Sequence, residues 1–555
     1  MPTVAQAIAR TLAAYGTEKF FCMCGGDHDL WYALEDEKIE IVNCRTENAA
    51  VYMADGYARV TGKPGFVYGQ RGPGVANLAG ALADPLWAKS PVISLTSSIA
   101  LTSRDRFEYQ ELDGLPLHVG LTKWNKTLSS PDRAAAMTRA AIRIALSPSP
   151  GPVHLEIPAD MFDLESGEDI FCEEGLSHVN AMRAPPDRQR LTALLDALLR
   201  AERPLIVAGK GVVISEAWDE LTAFAEALSI PVATSLGGKG SIDEASDLAM
   251  GVIGRNSRKL GNDCVRECDA ILAIGTRLGG LATHRYSLPF GEKALFHIDA
   301  DPHILGHNFR TQIGLASDAK LALATALEMI EQRGLARKRT PWAQDRAVRL
   351  HQWRGHAAAL PDVQKVDGVH PAEVIAAARR VMGPRDIIGA DTGAHGGWVG
   401  ALFPVAAGKT MIRANGSLGW VFPGALGAAL GAPDRRVVAI TGDGGMLYHI
   451  AEFETALRIG IPVVVIVLNN ACLASEYQTQ KRHQRIVKSV LDYRDVDFAA
   501  VARSFGAFGI RVTQAGELDA AISAALANGG PALVDVVVSR EAQSPSANRD
   551  KTRLV

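Results

Sequence analysis

The stretch GDGGMLYHIAEFETALRIGIPVVVIVLNN, residues 442–470, sets the reading of the whole chain. Val437 to Thr441 just before it is a β-branched run that predicts a buried strand. Gly442-Asp443-Gly444-Gly445 is a sharp turn, and a helix is expected to start near Met446. Met446, Ile450, Phe453 and Leu457 then keep helical spacing. Pro462 to Leu468 reads as the next buried strand, with Asn469-Asn470 at its C-terminal end. In a parallel sheet both turns open on one edge, where such folds bind ligands.

The residue types at those turns suit a metal-bound diphosphate. Asp443 and Asn470 offer hard oxygen ligands for Mg²⁺. Gly444 and Gly445 let main-chain N–H groups approach phosphate where a helix begins. Either motif alone is compatible with an ordinary turn in an α/β domain. Twenty-four residues lie between Gly444 and Asn469, and one helix and one strand are expected there, which makes the combination specific.

Outward from this point, apolar runs alternate with helical patterns along the whole chain. That rhythm predicts an α/β fold of three doubly wound parallel-sheet domains. The 555 residues exceed a single core. The expected boundaries are residues 1–163, 190–335 and 370–540, with 541–555 as a polar tail or lid. Asp163 to Arg190 reads as a linker, and the basic stretch from Arg333 to Val369 as irregular. Composition is ordinary for a globular protein, at 47% hydrophobic and 21% charged residues. A net charge of −3 favours neither nucleic acid nor an anionic membrane as partner. No apolar run is long enough to span a bilayer. Met1 to Gly16 reads as an amphipathic helix capped by Thr3, without the basic start and apolar run of a secretory signal. Seven cysteines are too few for a disulfide framework, so reduced, mostly buried thiols and a cytoplasmic location are expected. Cys22 and Cys24 are read as sharing one strand run.

The 442–470 stretch resembles the signature of thiamine-diphosphate enzymes, specifically the acetolactate synthase and pyruvate decarboxylase superfamily. The resemblance implies thiamine diphosphate and Mg²⁺ as cofactors, with Asp443, Asn470 and the main-chain oxygen of Cys472 as metal ligands. DTGAH, residues 391–395, is similar to the family's other diphosphate loop and implies Gly393, Ala394 and His395 at the phosphates. RTENAAVYMADGYARVTGKPG, from residue 45, resembles the pyrimidine-binding domain. There Glu47 would face the pyrimidine N1′ and stabilise the imino form, a role suited to a buried carboxyl with a raised pKa. Ala50, Met53, Ala54 and Tyr57 would form the buried face of its helix. Gly25, Pro73 and Asn77 join the implied cofactor contacts. In NGSLGWVFPGALG, Gly416 would offer its carbonyl to the 4′-amino group and Leu418 would lie beneath the two rings. TKW at 122–124 and GPVHLEIPADMF at 151–162 are further landmarks, so the resemblance spans essentially the whole chain. Family members pair the pyrimidine domain of one subunit with the diphosphate domain of another, which implies a homodimer at minimum and a homotetramer as a common state.

The substrate signals conflict. Gln110-Glu111 stands where acetolactate synthases carry a similar pair, and that Gln contacts substrate. Asp27 and His28 in GDHDL, and Glu476, resemble catalytic groups of pyruvate decarboxylases, yet the adjacent His-His pair of those enzymes is missing. Arg71 is either a fork for a substrate carboxylate or a solvated or interface arginine. The expected reaction is decarboxylation of a 2-oxo acid with carboligation. The alternatives are simple decarboxylation to an aldehyde, or a 2-hydroxyacyl-CoA lyase or oxalyl-CoA decarboxylase type of C–C cleavage. In the middle domain, LFHIDADP resembles a segment that contacts FAD or ADP in relatives, with Arg277 near it. The family's FAD-type pattern is absent after Arg277, so FAD or ADP is possible but not expected.

Overall fold

The computed structural model describes residues 1–167, 169–255 and 258–544. Most of the expected tail, residues 545–555, lies outside the described residues. Three six-stranded parallel sheets carry the fold, with helices on both faces. In spatial order the first sheet is Glu40–Asn43, Lys19–Cys22, Gly65–Gly69, Val92–Ser98, Val153–Pro158 and Asn125–Thr127. The second is Ile313–Ala316, Ala294–Asp299, Ala270–Ile274, Pro204–Ala208, Val232–Thr234 and Ala249–Val252. The third is Met411–Arg413, Ile387–Ala390, Val437–Gly442, Val463–Asn469, Ala532–Val537 and Phe508–Val512.

The first and third sheets share one strand order, second-first-third-fourth-sixth-fifth. Their winding reverses between the first and third strands, and the crevice outside the C-terminal ends of that pair is where such sheets take ligands. In the first sheet those ends lead into Cys24–Asp27 and Gln70–Arg71. In the third they lead into Asp391–His395 and Asp443–Gly445. The second sheet reverses between Pro204–Ala208 and Ala270–Ile274. There the glycines serve close packing: a Cβ on Gly209 would lie 2.2 Å from the Gly275 carbonyl, and one on Gly275 would lie 2.6 Å from the Gly211 Cα.

The chain divides into two compact units. One comprises Met1–Met182, Ala414–Val437 and Leu447–Val463, and the other Arg183–Arg413, Val438–Met446 and Val464–Val555. In the first unit the helix Val4–Ala14 begins with a capping box at Thr3 and Gln6, in line with the sequence. The helix Glu47–Thr61 departs from expectation, because every residue from Ala49 to Arg59 is buried rather than one face. The helix Val421–Gly431 explains this. A Cβ on Gly56 would sit 1.9 Å from the Gly424 carbonyl, and one on Gly427 would sit 1.9 Å from the Met53 carbonyl. Glycine inside a helix costs about 1 kcal/mol relative to alanine. Here it permits backbone-to-backbone contact that no side chain allows.

Three other expectations are corrected. The region 333–369 is not irregular: Pro341–Ala358 is a helix capped by the Thr340 hydroxyl, with Pro341 at its first position. Its few apolar residues, Trp342, Ala343, Ala347 and Leu350, keep helical spacing and are buried, but charged neighbours mask the pattern. Between the two turns of the 442–470 stretch lie two helices, Asp443–His449 and Glu452–Arg458, and the first begins at Asp443 rather than near Met446. The strand Lys19–Cys22 stops at Cys22, which is buried, whereas Cys24 is exposed in the loop beyond. Five of the seven cysteines are buried and all are free thiols. No described helix is long and apolar enough to cross a membrane.

Candidate active site

At the edge of the third sheet, Asp443 follows its strand directly and its carboxylate is held by the main chain. Oδ1 accepts from the Gly444 N–H at 2.7 Å, and Oδ2 from the N–H groups of Asn470 at 3.2 Å and Cys472 at 3.0 Å. Burial pushes its pKa up, while these donors favour the ionised form. The side chain is thereby fixed in orientation. Asn470 lies beside it, and its Oδ1 is buried without a hydrogen-bond partner among the described residues. Ala471 takes a left-handed backbone, φ 52°, a conformation that is costly for a residue with a Cβ, and it turns the chain so that the Cys472 N–H reaches Asp443. Asn469, by contrast, is structural: its Nδ2 donates to the Asp535 carboxylate at 3.0 Å and the Val496 carbonyl at 2.9 Å.

Across the same crevice, Gly393 has φ 144° and precedes the helix Ala394–Leu402. His395 is buried there, and burial lowers its pKa to about 4, so the imidazole is neutral near pH 7. Its Nε2 also has no partner among the described residues. The glycines around it answer to space. A Cβ on Gly445 would meet Asp391 Oδ2 at 2.4 Å and Thr441 Oγ1 at 2.5 Å, and one on Gly442 would meet His395 Nδ1 at 3.1 Å. Glu476, in the first turn of the helix Ala474–Arg482, is exposed.

These residues fit a magnesium-bound diphosphate. Asp443 and the orphaned Asn470 Oδ1 are hard oxygen donors at adjacent strand ends. The unused His395 Nε2 becomes a donor to a phosphate oxygen once the charge of a bound phosphate draws a proton onto the ring.

At the edge of the first sheet, Thr46 caps the helix Glu47–Thr61 by accepting from the Ala49 N–H at 3.2 Å. Glu47 is therefore spared the capping role that an acid at a helix start commonly takes. It is half-buried; Oε2 accepts from Asn77 Nδ2 at 3.1 Å, and a Cβ on Gly74 would lie 3.2 Å from Oε1. Pro73 opens the helix that carries Asn77. Glu452, buried, accepts from the Arg45 N–H at 2.9 Å and from Thr455 Oγ1 at 2.7 Å, which ties down the loop leading to Glu47.

Asp27 and His28 diverge. Asp27 is buried and accepts from Ser97 Oγ at 2.7 Å and from the Tyr68 hydroxyl, with Arg71 Nη1 3.5 Å away. Its pKa is raised by burial, against the Ser97 hydrogen bond and the Arg71 charge. His28 is exposed and stacks on Tyr32, with ring centroids 6.3 Å apart. Gln110 has a left-handed backbone, φ 65°, and meets the Gln70 amide at 3.5 Å. A Cβ on Gly25 would lie 2.6 Å from Gln70 Oε1, so Gly25, Gln70 and Gln110 form one tight corner. Gly416 is exposed with φ 150°, and Leu418 is half-buried. Tyr68, Ser97, Glu452 and Asp84 were not singled out from sequence. Only Asp84 carries a local signal, as a lone acid in the apolar run ALADPLW.

Comparison with known proteins agrees with this geometry. Residues 2–117, 191–327 and 391–536 match the N-terminal TPP-binding, central and C-terminal TPP-binding domain models of the thiamine pyrophosphate enzymes. These matches and the two sheet edges define the class: a thiamine-diphosphate-dependent enzyme of C–C bond chemistry. The probable acetolactate synthase large subunit of Methanocaldococcus jannaschii is 32% identical over 548 residues, 96% of this chain and 91% of its own. The acetolactate synthase large subunit of Parasynechococcus marenigrum is 30% identical, covering 97% of this chain and 87% of its own. The isozyme 2 large subunit of Escherichia coli is 27% identical, covering 96% and 95%. The chain belongs to the thiamine-diphosphate enzymes of the acetolactate synthase large-subunit type.

Proposed function

We propose that this enzyme decarboxylates a small 2-oxo acid and joins the remaining fragment to a second carbonyl compound, using thiamine diphosphate and Mg²⁺. The observation that carries the cofactor assignment is the pair of orphaned, buried atoms, Asn470 Oδ1 and His395 Nε2, beside a carboxylate fixed by three main-chain N–H groups. Asp443, Asn470 and the Cys472 carbonyl would hold the metal, and Gly393, Ala394, His395, Gly444 and Gly445 the diphosphate. When bound, thiamine diphosphate supplies a carbon nucleophile and an electron sink for decarboxylation. Glu47 would hold a proton shared with the pyrimidine ring. Gly25, Pro73 and Asn77 would line the pyrimidine, the Gly416 carbonyl would accept from its amino group, and Leu418 would support the rings from below. Gln110 would orient the acceptor carbonyl.

Carboligation is favoured over release of an aldehyde by the relatives and by the divergence of Asp27 and His28. An aldehyde product needs a proton delivered to carbon, and these two residues do not converge to deliver one. Arg71 has Asp27 as its ionic neighbour, which favours a positioning role over a free fork for a substrate carboxylate. Glu47 of one subunit would complete the Asp443 half of another, making a homodimer the smallest active form, with a tetramer as the common state. Seven free thiols suit a reducing cytoplasm. The boundaries proposed for the three domains remain 1–163, 190–335 and 370–540.

The deciding experiment supplies a panel of 2-oxo acids, follows carbon dioxide release and identifies the products. A hydroxyketone or acetohydroxyacid is expected; aldehyde as sole product overturns carboligation. Mixing Glu47→Gln with Asp443→Ala subunits tests the shared site. Hybrid dimers would contain one intact site and regain activity, whereas a site within one chain leaves every mixture inactive.

A further inference from the structure

We propose that Asp84 is a positioning residue for this reaction, setting the direction in which the Gly416 carbonyl points. The inference rests on the cofactor reading above. Asp84 sits in the short helix Ala83–Ala88 and is buried. Its Oδ1 accepts from Arg59 Nη2 at 2.8 Å and from Asn415 Nδ2 at 3.2 Å. Its Oδ2 accepts from the main-chain N–H groups of Asn415 at 2.9 Å and Ser417 at 3.2 Å. The Ser417 N–H and the Gly416 C=O belong to one trans peptide unit, so they point in opposite directions. Holding the N–H on Asp84 therefore turns the Gly416 carbonyl away from Asp84 and keeps it there. Nothing lies within 4 Å of a Cβ built on Gly416, while its φ is 150°. Glycine is thus required at this position by backbone conformation rather than by space, as expected where a carbonyl is being aimed.

The charge arrangement supports the assignment. Arg59 also pairs with Asp55, its Nε donating to Oδ1 at 2.7 Å, and Asp55 accepts from Trp420 Nε1 at 3.0 Å. The Arg59 guanidinium lies 4.2 Å from the centre of the Trp420 ring. Side chains of both aspartates are 0% exposed and that of Arg59 is 3%. One guanidinium faces two carboxylates, so the main-chain donors of the 415–417 loop supply part of the stabilisation that buried anions require. Arg59 belongs to the helix that starts at Glu47, and Trp420 precedes the helix Val421–Gly431 that crosses it at Gly56, Gly424 and Gly427.

Asp84→Asn keeps the size and removes the charge. In cofactor-free protein, amide hydrogen exchange at Ser417 and Asn415 is expected to speed up about tenfold or more, while the middle of the Glu47 helix keeps its protection. Calorimetry then compares thiamine diphosphate with its analogue lacking the 4′-amino group. The variant is expected to bind the parent about tenfold more weakly and the analogue as the wild type does, because only the parent uses the aimed carbonyl. Asn415→Ala, which removes one donor and no buried charge, serves if Asp84→Asn does not fold, and is expected to shift exchange at Ser417 and parent affinity in the same direction by a few-fold. Unchanged exchange at Ser417, or equal weakening of both ligands, overturns the proposal. Wild-type protein that binds no thiamine diphosphate would instead overturn the cofactor reading on which it rests.

Discussion

The first and third sheets share a strand order and present loops at the same reversal of winding, yet they fix a buried carboxylate by different means. Asp443 of the third is held by main-chain N–H groups, and the Asn470 Oδ1 that follows the adjacent strand has no hydrogen-bond partner among the described residues. Asp27 of the first is held by side chains, Tyr68, Ser97 and Arg71. A main-chain cage survives almost any change of neighbouring side chains and suits a permanent cofactor anchor. A side-chain cage can be altered one residue at a time and suits the part of a site where substrates differ. On the proposed function, one topology would support an anchor at one edge and an adjustable pocket at the other.

The strongest way to break this contrast is Asp443→Ala. It is expected to weaken magnesium-dependent binding of thiamine diphosphate about 100-fold or more, and near wild-type affinity by calorimetry would remove Asp443 from the anchor. Glu47→Gln should leave that affinity nearly intact and lower kcat about 100-fold, because it alters a proton position rather than a ligand. Unchanged turnover would dismiss Glu47. Gly445→Ala, whose methyl would press on Asp391 and Thr441, should weaken the cofactor about tenfold. The smallest effect is expected from Ser97→Ala. Asp27 has a raised pKa, so the stability it contributes is present below the ordinary carboxylate range and lost as pH rises through the raised value. Removing the Ser97 donor raises that pKa further, so the variant should lose more stability at pH 7 than at pH 4. Thermal unfolding at both pH values reads this, and an equal loss at both would show that Ser97 does not act on the ionised form.

The two turns proposed as the anchor were legible in the sequence because both sit at the ends of adjacent strands in one 29-residue stretch. Even there, the helix break at Ile450-Ala451 was not, since Met446 and Phe453 keep a spacing that one continuous helix also satisfies. Asp84 carried little signal because its partners Asn415 and Ser417 come from more than 330 residues away. The all-round burial of the Glu47 helix follows from glycines on Val421–Gly431, which hydropathy cannot reveal. The helix Pro341–Ala358 hid behind its charges.

The glycine crossing of these two helices also bears on how the chain is made. The segment that covers the Glu47 helix begins only at Ala414, about 230 residues after Met182. At cellular synthesis speeds that interval lasts about ten to fifty seconds. Throughout it, the newborn N-terminal portion exposes a helix whose outer side is shaped for another backbone. A fragment ending at Met182 should therefore be poorly soluble, and the full chain should depend on chaperone protection during translation more than a protein whose domains close in the order they emerge.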